Sequence, residues 1–122
     1  MSKGFIVCVY EKIEDESLLK NYAVEAKKAV EKFGGKFLIR GGDKITTEGK
    51  EFLRTAVIEF SSFDVAKNFF YSNEYQSAHT ILKDTVIRHH QIIKGYLYCI
   101  GAGSILLHKL HVATEQYGEN LF

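Results

Sequence analysis

The chain has 122 residues, the size of one domain, and its 46% apolar and 25% charged content is that of an ordinary globular protein. Sixteen basic residues against fifteen acidic ones leave a net charge of +1, so no overall field exists to hold a phosphate backbone or an anionic membrane surface. Nucleic acid and membrane are therefore excluded as expected partners.

Met1-Ser2-Lys3-Gly4 passes directly into Phe5-Ile6-Val7-Cys8-Val9-Tyr10. This apolar run is too short for a signal h-region or a membrane helix, and the chain is expected in the cytoplasm. Its β-branched and aromatic content predicts a first strand, apolar on both faces. The period then changes. Leu19, Tyr22, Ala23, Ala26, Val30 and Phe33 form one helical stripe, with Asp15 as N-cap and Gly34-Gly35 as the stop.

Lys36 to Arg40 reads as a second strand and Phe52 to Phe60 as a third, joined by a polar connection that Gly41-Gly42 opens. Ser61-Ser62-Phe63-Asp64 matches the S-x-x-D capping signal, and Phe63, Ala66 and Phe70 follow at helical spacing as far as Tyr71. Ser72-Asn73 interrupts this helix and caps another piece carrying Tyr75, Ala78, His79 and Leu82. Val86 to Tyr96 is rich enough in Val, Ile and Tyr for a fourth strand. The order β-α-β-β-α-β is the split βαβ, or ferredoxin-like, arrangement: an antiparallel sheet with helices on one face, an α+β fold. Beyond it, residues 97–122 form an extension in which Ser104, Leu106, Leu110, Ala113 and Tyr117 predict a docked amphipathic helix, separate from the 1–96 domain.

Two helices cover one face of such a sheet, yet Ile6, Cys8 and Tyr10 alternate with Phe5, Val7 and Val9, so both faces of the first strand need cover. Packing two copies face to face supplies it by two-fold symmetry, and a homodimer is the expected partner state.

Four segments carry a resemblance to a known family. They are Lys3-Gly4-Phe5, the run Phe33-Gly34-Gly35-Lys36-Phe37-Leu38-Ile39-Arg40-Gly41-Gly42, then Val57-Ile58-Glu59-Phe60, and Phe70-Tyr71-Ser72-Asn73-Glu74-Tyr75-Gln76. In this order they resemble the bacterial domain of unknown function 1330, within the dimeric α+β barrel superfamily, over residues 3–96. The resemblance implies the fold and the dimer. It implies no activity, because that superfamily spans cofactor-free monooxygenases, lactone isomerases, haem-dependent enzymes and stress proteins, and one fold hosts unrelated chemistry.

Arg40 and Glu59 each interrupt an apolar strand, and a charge beside a sheet core needs a partner. They read either as a structural ion pair or as a pocket in which Arg40 holds an anionic or carbonyl group and Glu59 acts as acid or base. Tyr75 and Gln76, at the break between helical pieces, are candidates to hydrogen-bond a small ligand or simply to pack. His89 stands on a strand as a candidate to face a pocket as a proton carrier; its neighbour His90 then points the other way, and alternation alone leaves open which of the two faces inward. No metal is expected: His108 and His111 stand at i, i+3 without a carboxylate partner motif, and Cys8 and Cys99 show no C-x-x-C spacing. No haem-ligand, phosphate-loop or nucleophile-elbow motif appears, so no cofactor is expected. Two functional readings remain: a small-molecule pocket between sheet and helices, as a binding protein or cofactor-independent enzyme, or an interaction or stress module whose tail recruits a partner.

Overall fold

The computed structural model describes residues 2–96. Strand β1 is Gly4–Ile13, helix α1 Glu16–Lys32, strand β2 Lys36–Arg40, strand β3 Arg54–Phe60, helix α2 Phe63–Phe70, helix α3 Asn73–Thr80 and strand β4 Val86–Lys94. The strands form one sheet in the order β2-β3-β1-β4, every neighbouring pair antiparallel. This is the expected α+β, ferredoxin-like architecture. Strand β1 runs three residues past the apolar segment, β3 starts at Arg54 rather than Phe52, and β4 ends at Lys94 rather than Tyr96. The tail helix expected within 97–122, with Cys99, His108 and His111, lies outside the described residues.

The local signals act through named hydrogen bonds. The Asp15 carboxylate accepts from the backbone N–H of Ser17 at 3.0 Å and Leu18 at 3.1 Å, satisfying the free N–H groups that open α1. At its other end Gly34 takes φ +71°, Gly34 N–H donates to Glu31 O and Gly35 N–H to Val30 O. That pair of bonds is a Schellman stop, and the positive φ explains the glycine. Ser62, one residue later than the sequence signal suggests, caps α2 through Val65 N–H at 3.1 Å. Ser72 caps α3 through Tyr75 N–H at 3.1 Å while its hydroxyl donates to Phe69 O.

The core is one layer between sheet and helices. Ile6, Cys8 and Tyr10 of β1, Ile58 and Phe60 of β3, Leu19, Tyr22, Ala26 and Val30 of α1, Phe69 of α2 and Tyr75 of α3 are buried in it. On the opposite face Phe5, Val7 and Val9 of β1 and Val57 of β3 are half-buried, while Ile39, Ile87 and Ile93 are 46%, 51% and 40% exposed. The alternation within β1 thus divides as expected, one set under the helices and one apolar set on the open face.

Candidate functional site

Register places the polar side chains of the covered face in rows. Tyr10 pairs with Arg54 on one side and Arg88 on the other. The next row runs Arg40, Ala56, Cys8, His90, and the next Phe37, Ile58, Ile6, Ile92. Charge therefore gathers at one end of the face and apolar side chains at the other. Arg40 reaches its row because of a β-bulge: Phe37 pairs with Ile58 but Ile39 pairs with Val57, so Leu38 is an extra residue and Arg40 returns to the face of Phe37. Its guanidinium carbon sits 4.5 Å from the Phe37 ring centre.

Between these rows and α1 lies a cavity of about 200 Å³. It exists because Cys8 and Ala56 on the sheet lie across from Ala23 and Ala26 on the helix, and four small side chains leave the layer unfilled. Ile6, Ile58, Phe37, Leu19 and Val30 make the apolar wall.

The polar wall is built around Arg88. Its Nη1 donates to Tyr22 OH at 3.1 Å and Tyr10 OH at 3.2 Å and approaches Cys8 Sγ at 3.7 Å, and its Nη2 donates to Tyr75 OH at 2.8 Å. The Tyr22 and Tyr75 hydroxyls are themselves 2.9 Å apart. Three elements thus hold one guanidinium: β1 through Tyr10, α1 through Tyr22 and α3 through Tyr75. Burial pushes Tyr10 up to about 12 and Tyr75 higher still, so both stay protonated donors. Burial also raises the Cys8 thiol, which remains neutral. His90, whose ring lies 5.2 Å from that of Phe70, is pushed down to about 4 by burial, then by the charge of Arg88 and by His79. It is a neutral imidazole at physiological pH.

The arginines of this chain number three, Arg40, Arg54 and Arg88, and all of them line this one cavity. Among the described residues none of them pairs with a carboxylate, whereas every ion pair uses a lysine or a histidine. The remaining charged lining residues are Lys20 and Glu16. The cavity therefore carries four cationic side chains against one carboxylate.

Of the residues singled out from sequence, Arg40 and Tyr75 reach the cavity. Glu59 does not meet Arg40, because it pairs with Phe5 and Lys36 and so projects from the open face, while Arg40 pairs with Ala56 on the covered one. Gln76 is tied to the end of α2, its Nε2 donating to Phe70 O at 2.6 Å. His89 pairs with Val9 on the open face and meets Glu11 at 3.3 Å, and His90 is the histidine that lines the cavity. Sequence reasoning did not single out Arg88, Arg54, Tyr10 or Tyr22. A signal was present, since Arg88 interrupts an apolar strand as Arg40 does.

Among the described residues no helix is long and apolar enough to cross a membrane, and no three His, Cys, Asp or Glu side chains gather as a metal site would require. No curated protein matches the chain. Solved structures share its fold at low identity. A protein of unknown function from Rhodopseudomonas palustris is 12% identical, with 79% of this chain and 84% of that one covered and a TM-score of 0.65. A candidate antibiotic biosynthesis monooxygenase from Caulobacter crescentus is 10% identical over 79% of this chain and 92% of its own, with a TM-score of 0.55. An EthD-family protein from Bacillus halodurans is 12% identical over 79% of this chain and all of its own, with a TM-score of 0.51. These likenesses establish the fold and leave the chemistry to the residues. The model of the domain of unknown function DUF1330 matches residues 3–96, every strand and helix described above, and the chain belongs to that family.

Proposed function

We propose that this chain binds a small, mainly apolar organic molecule whose polar end is an anion, seated between the sheet and α1 with that end toward Arg88. The observation that carries the reading is the gathering of all three arginines on one cavity, none of them with a carboxylate partner among the described residues. A guanidinium withdrawn from water is costly unless a charge or strong acceptor meets it. Tyr10, Tyr22 and Tyr75 supply neutral oxygens and leave the charge unbalanced. The size fits as well: the cavity of about 200 Å³ exceeds the roughly 150 Å³ of an engineered apolar cavity that takes up benzene. A single ring with one polar substituent is the expected scale.

The test is thermal denaturation of the full chain with a panel of small carboxylates, benzoate among them, and of cations and neutral compounds of equal size. Anions should raise the melting temperature and the others should not. The gain should vanish in Arg88→Met and shrink in Arg40→Ala. Equal response to neutral compounds, or a gain unchanged by Arg88→Met, would contradict the reading.

A second observation supports a homodimer through the open face of the sheet. Phe5, Val7, Val9, Val57, Ile39 and Ile93 form a continuous apolar area there, with Ile39, Val57 and Val7 in one cross-strand row and Phe5 beside Ile93 in another. Such an area on a nearly neutral chain needs cover. A second copy offers the same surface by two-fold symmetry. A Val7→Asp substitution should split the pair, read as halving of the mass in sedimentation equilibrium; no change in mass would place the interface elsewhere.

A further inference from the structure

We propose that the ligand is a weakly acidic hydroxyl compound, a phenol or an enol, which the cavity holds as its oxyanion. The proposal rests on the binding reading above and specifies its chemistry from a count of protons at the polar wall.

The end of the Arg88 guanidinium is already occupied. Tyr22 OH on Nη1 and Tyr75 OH on Nη2, 2.9 Å from each other, stand where the two oxygens of a carboxylate would stand in a bidentate pair. The protein fills that fork with its own phenols. One phenol proton of the pair is used in the bond between them, whichever ring donates it. The second has no acceptor among the described residues, and the Tyr22–Tyr75 pair therefore offers a ligand one O–H donor backed by the charge of Arg88. A pair with one free proton suits one acceptor oxygen.

The surroundings favour that oxygen as an anion. Tyr10, Tyr75 and Cys8 are protonated and His90 is neutral, so the charge that backs the Tyr22–Tyr75 pair is that of Arg88, and the rest of the lining adds Arg40, Arg54 and Lys20 against the single carboxylate of Glu16. An opposite charge a few ångströms away lowers an acid's pKa by about 1–3 units, and seclusion from water strengthens the effect. In the binding step the ligand's O–H bond breaks, its electron pair stays on oxygen facing the Tyr22–Tyr75 pair, and the proton goes to water. No oxidant, reductant or cofactor is needed. The apolar wall of Ile6, Ile58, Phe37 and Leu19 then receives the hydrocarbon part.

The experiment uses the full chain and 4-nitrophenol, buffered below the phenol's own pKa so that the free compound is colourless. The result expected is a yellow phenolate band that grows with added protein, saturates at one per chain, and shows the ionised fraction raised about tenfold or more over free solution, equivalent to one pKa unit. Arg88→Met should abolish the band, and Tyr75→Phe should weaken it. Should either variant fail to fold, Ala56→Leu, which fills the cavity without touching the polar wall, should also abolish the band. Saturation-transfer NMR with 4-nitrophenol and with benzoate runs alongside. If 4-nitrophenol contacts the protein but stays colourless, the oxyanion assignment is overturned and the binding reading stands. If benzoate binds about tenfold more tightly than 4-nitrophenol, the one-oxygen argument is overturned while the anion site stands. If neither probe contacts the protein, the binding reading falls with it.

Discussion

A guanidinium that meets three phenols and no carboxylate is in a different energetic position from one in an ion pair, since its partners satisfy its N–H groups without neutralising its charge. Arg88→Met keeps most of the side-chain length and removes that charge. We expect its melting temperature to equal or exceed that of the parent by a few degrees while stabilisation by benzoate disappears. A large loss of stability would show that Arg88 holds the fold rather than a ligand. His90 gives a second residue-level outcome. The unfolded chain takes up the proton near the ordinary histidine value of 6.5, the folded chain only near 4, held down first by burial and then by Arg88 and His79. Across that window the unfolded state binds more protons, so stability falls as the pH drops through it, by at most about 3 kcal/mol. His90→Gln should flatten the pH dependence between those values relative to the parent, whose exposed carboxylates are common to both. Parallel urea titrations at several pH values measure the difference, and an unchanged slope would place His90 in water.

At the scale of elements, strand β2 shows how one residue decides what a face presents. Simple alternation puts Arg40 with Lys36 and Leu38, away from Phe37, and the bulge at Leu38 reverses this. Deleting Leu38 removes the extra residue, so Phe37, Ile39 and Arg40 alternate regularly and Arg40 stays opposite Ala56 on the covered face; benzoate affinity should be largely kept, and a large loss would show that the bulge itself sets the reach of Arg40. Ala56→Leu should leave the melting temperature equal or raised, because a leucine fills empty space, and should abolish the response to benzoate. These elements also show what was legible beforehand. The caps at Asp15 and Ser72 and the glycine stop at Gly34-Gly35 are local in sequence and were readable, as was the division of β1 into two apolar sets. Bulges and register are not local: whether Glu59 meets Arg40, or His89 rather than His90 faces inward, depends on which partner residue lies opposite, and period-two reasoning fixes only that neighbours oppose. The cluster of Tyr10, Tyr22, Tyr75 and Arg88 joins residues 53 positions apart in the Tyr22–Tyr75 contact and 78 in the Arg88–Tyr10 contact. Nothing in their local spacing announced it.

For the molecule as a whole, the sheet divides two tasks between its faces. The covered face carries the arginines and the cavity, and the open face carries Phe5, Val7, Val9 and their neighbours for the proposed partner copy. A chain of 13.9 kDa should therefore sediment at twice that mass at micromolar concentration, and Val7→Asp should return it to the single mass without altering benzoate binding, because the two faces are separate. A monomeric parent would mean that something within the chain covers the open face. The central claim concerns the other face, and the most direct measurement is the NMR signal of each arginine Nε–Hε group in the full chain during titration with benzoate. With three arginines in the sequence, assignment by single substitution is straightforward. The result expected is a saturable shift of the Arg88 signal, reached at lower concentration than any drift of Arg40 or Arg54. A stationary Arg88 signal beside unsaturable drift of the other two would contradict the account.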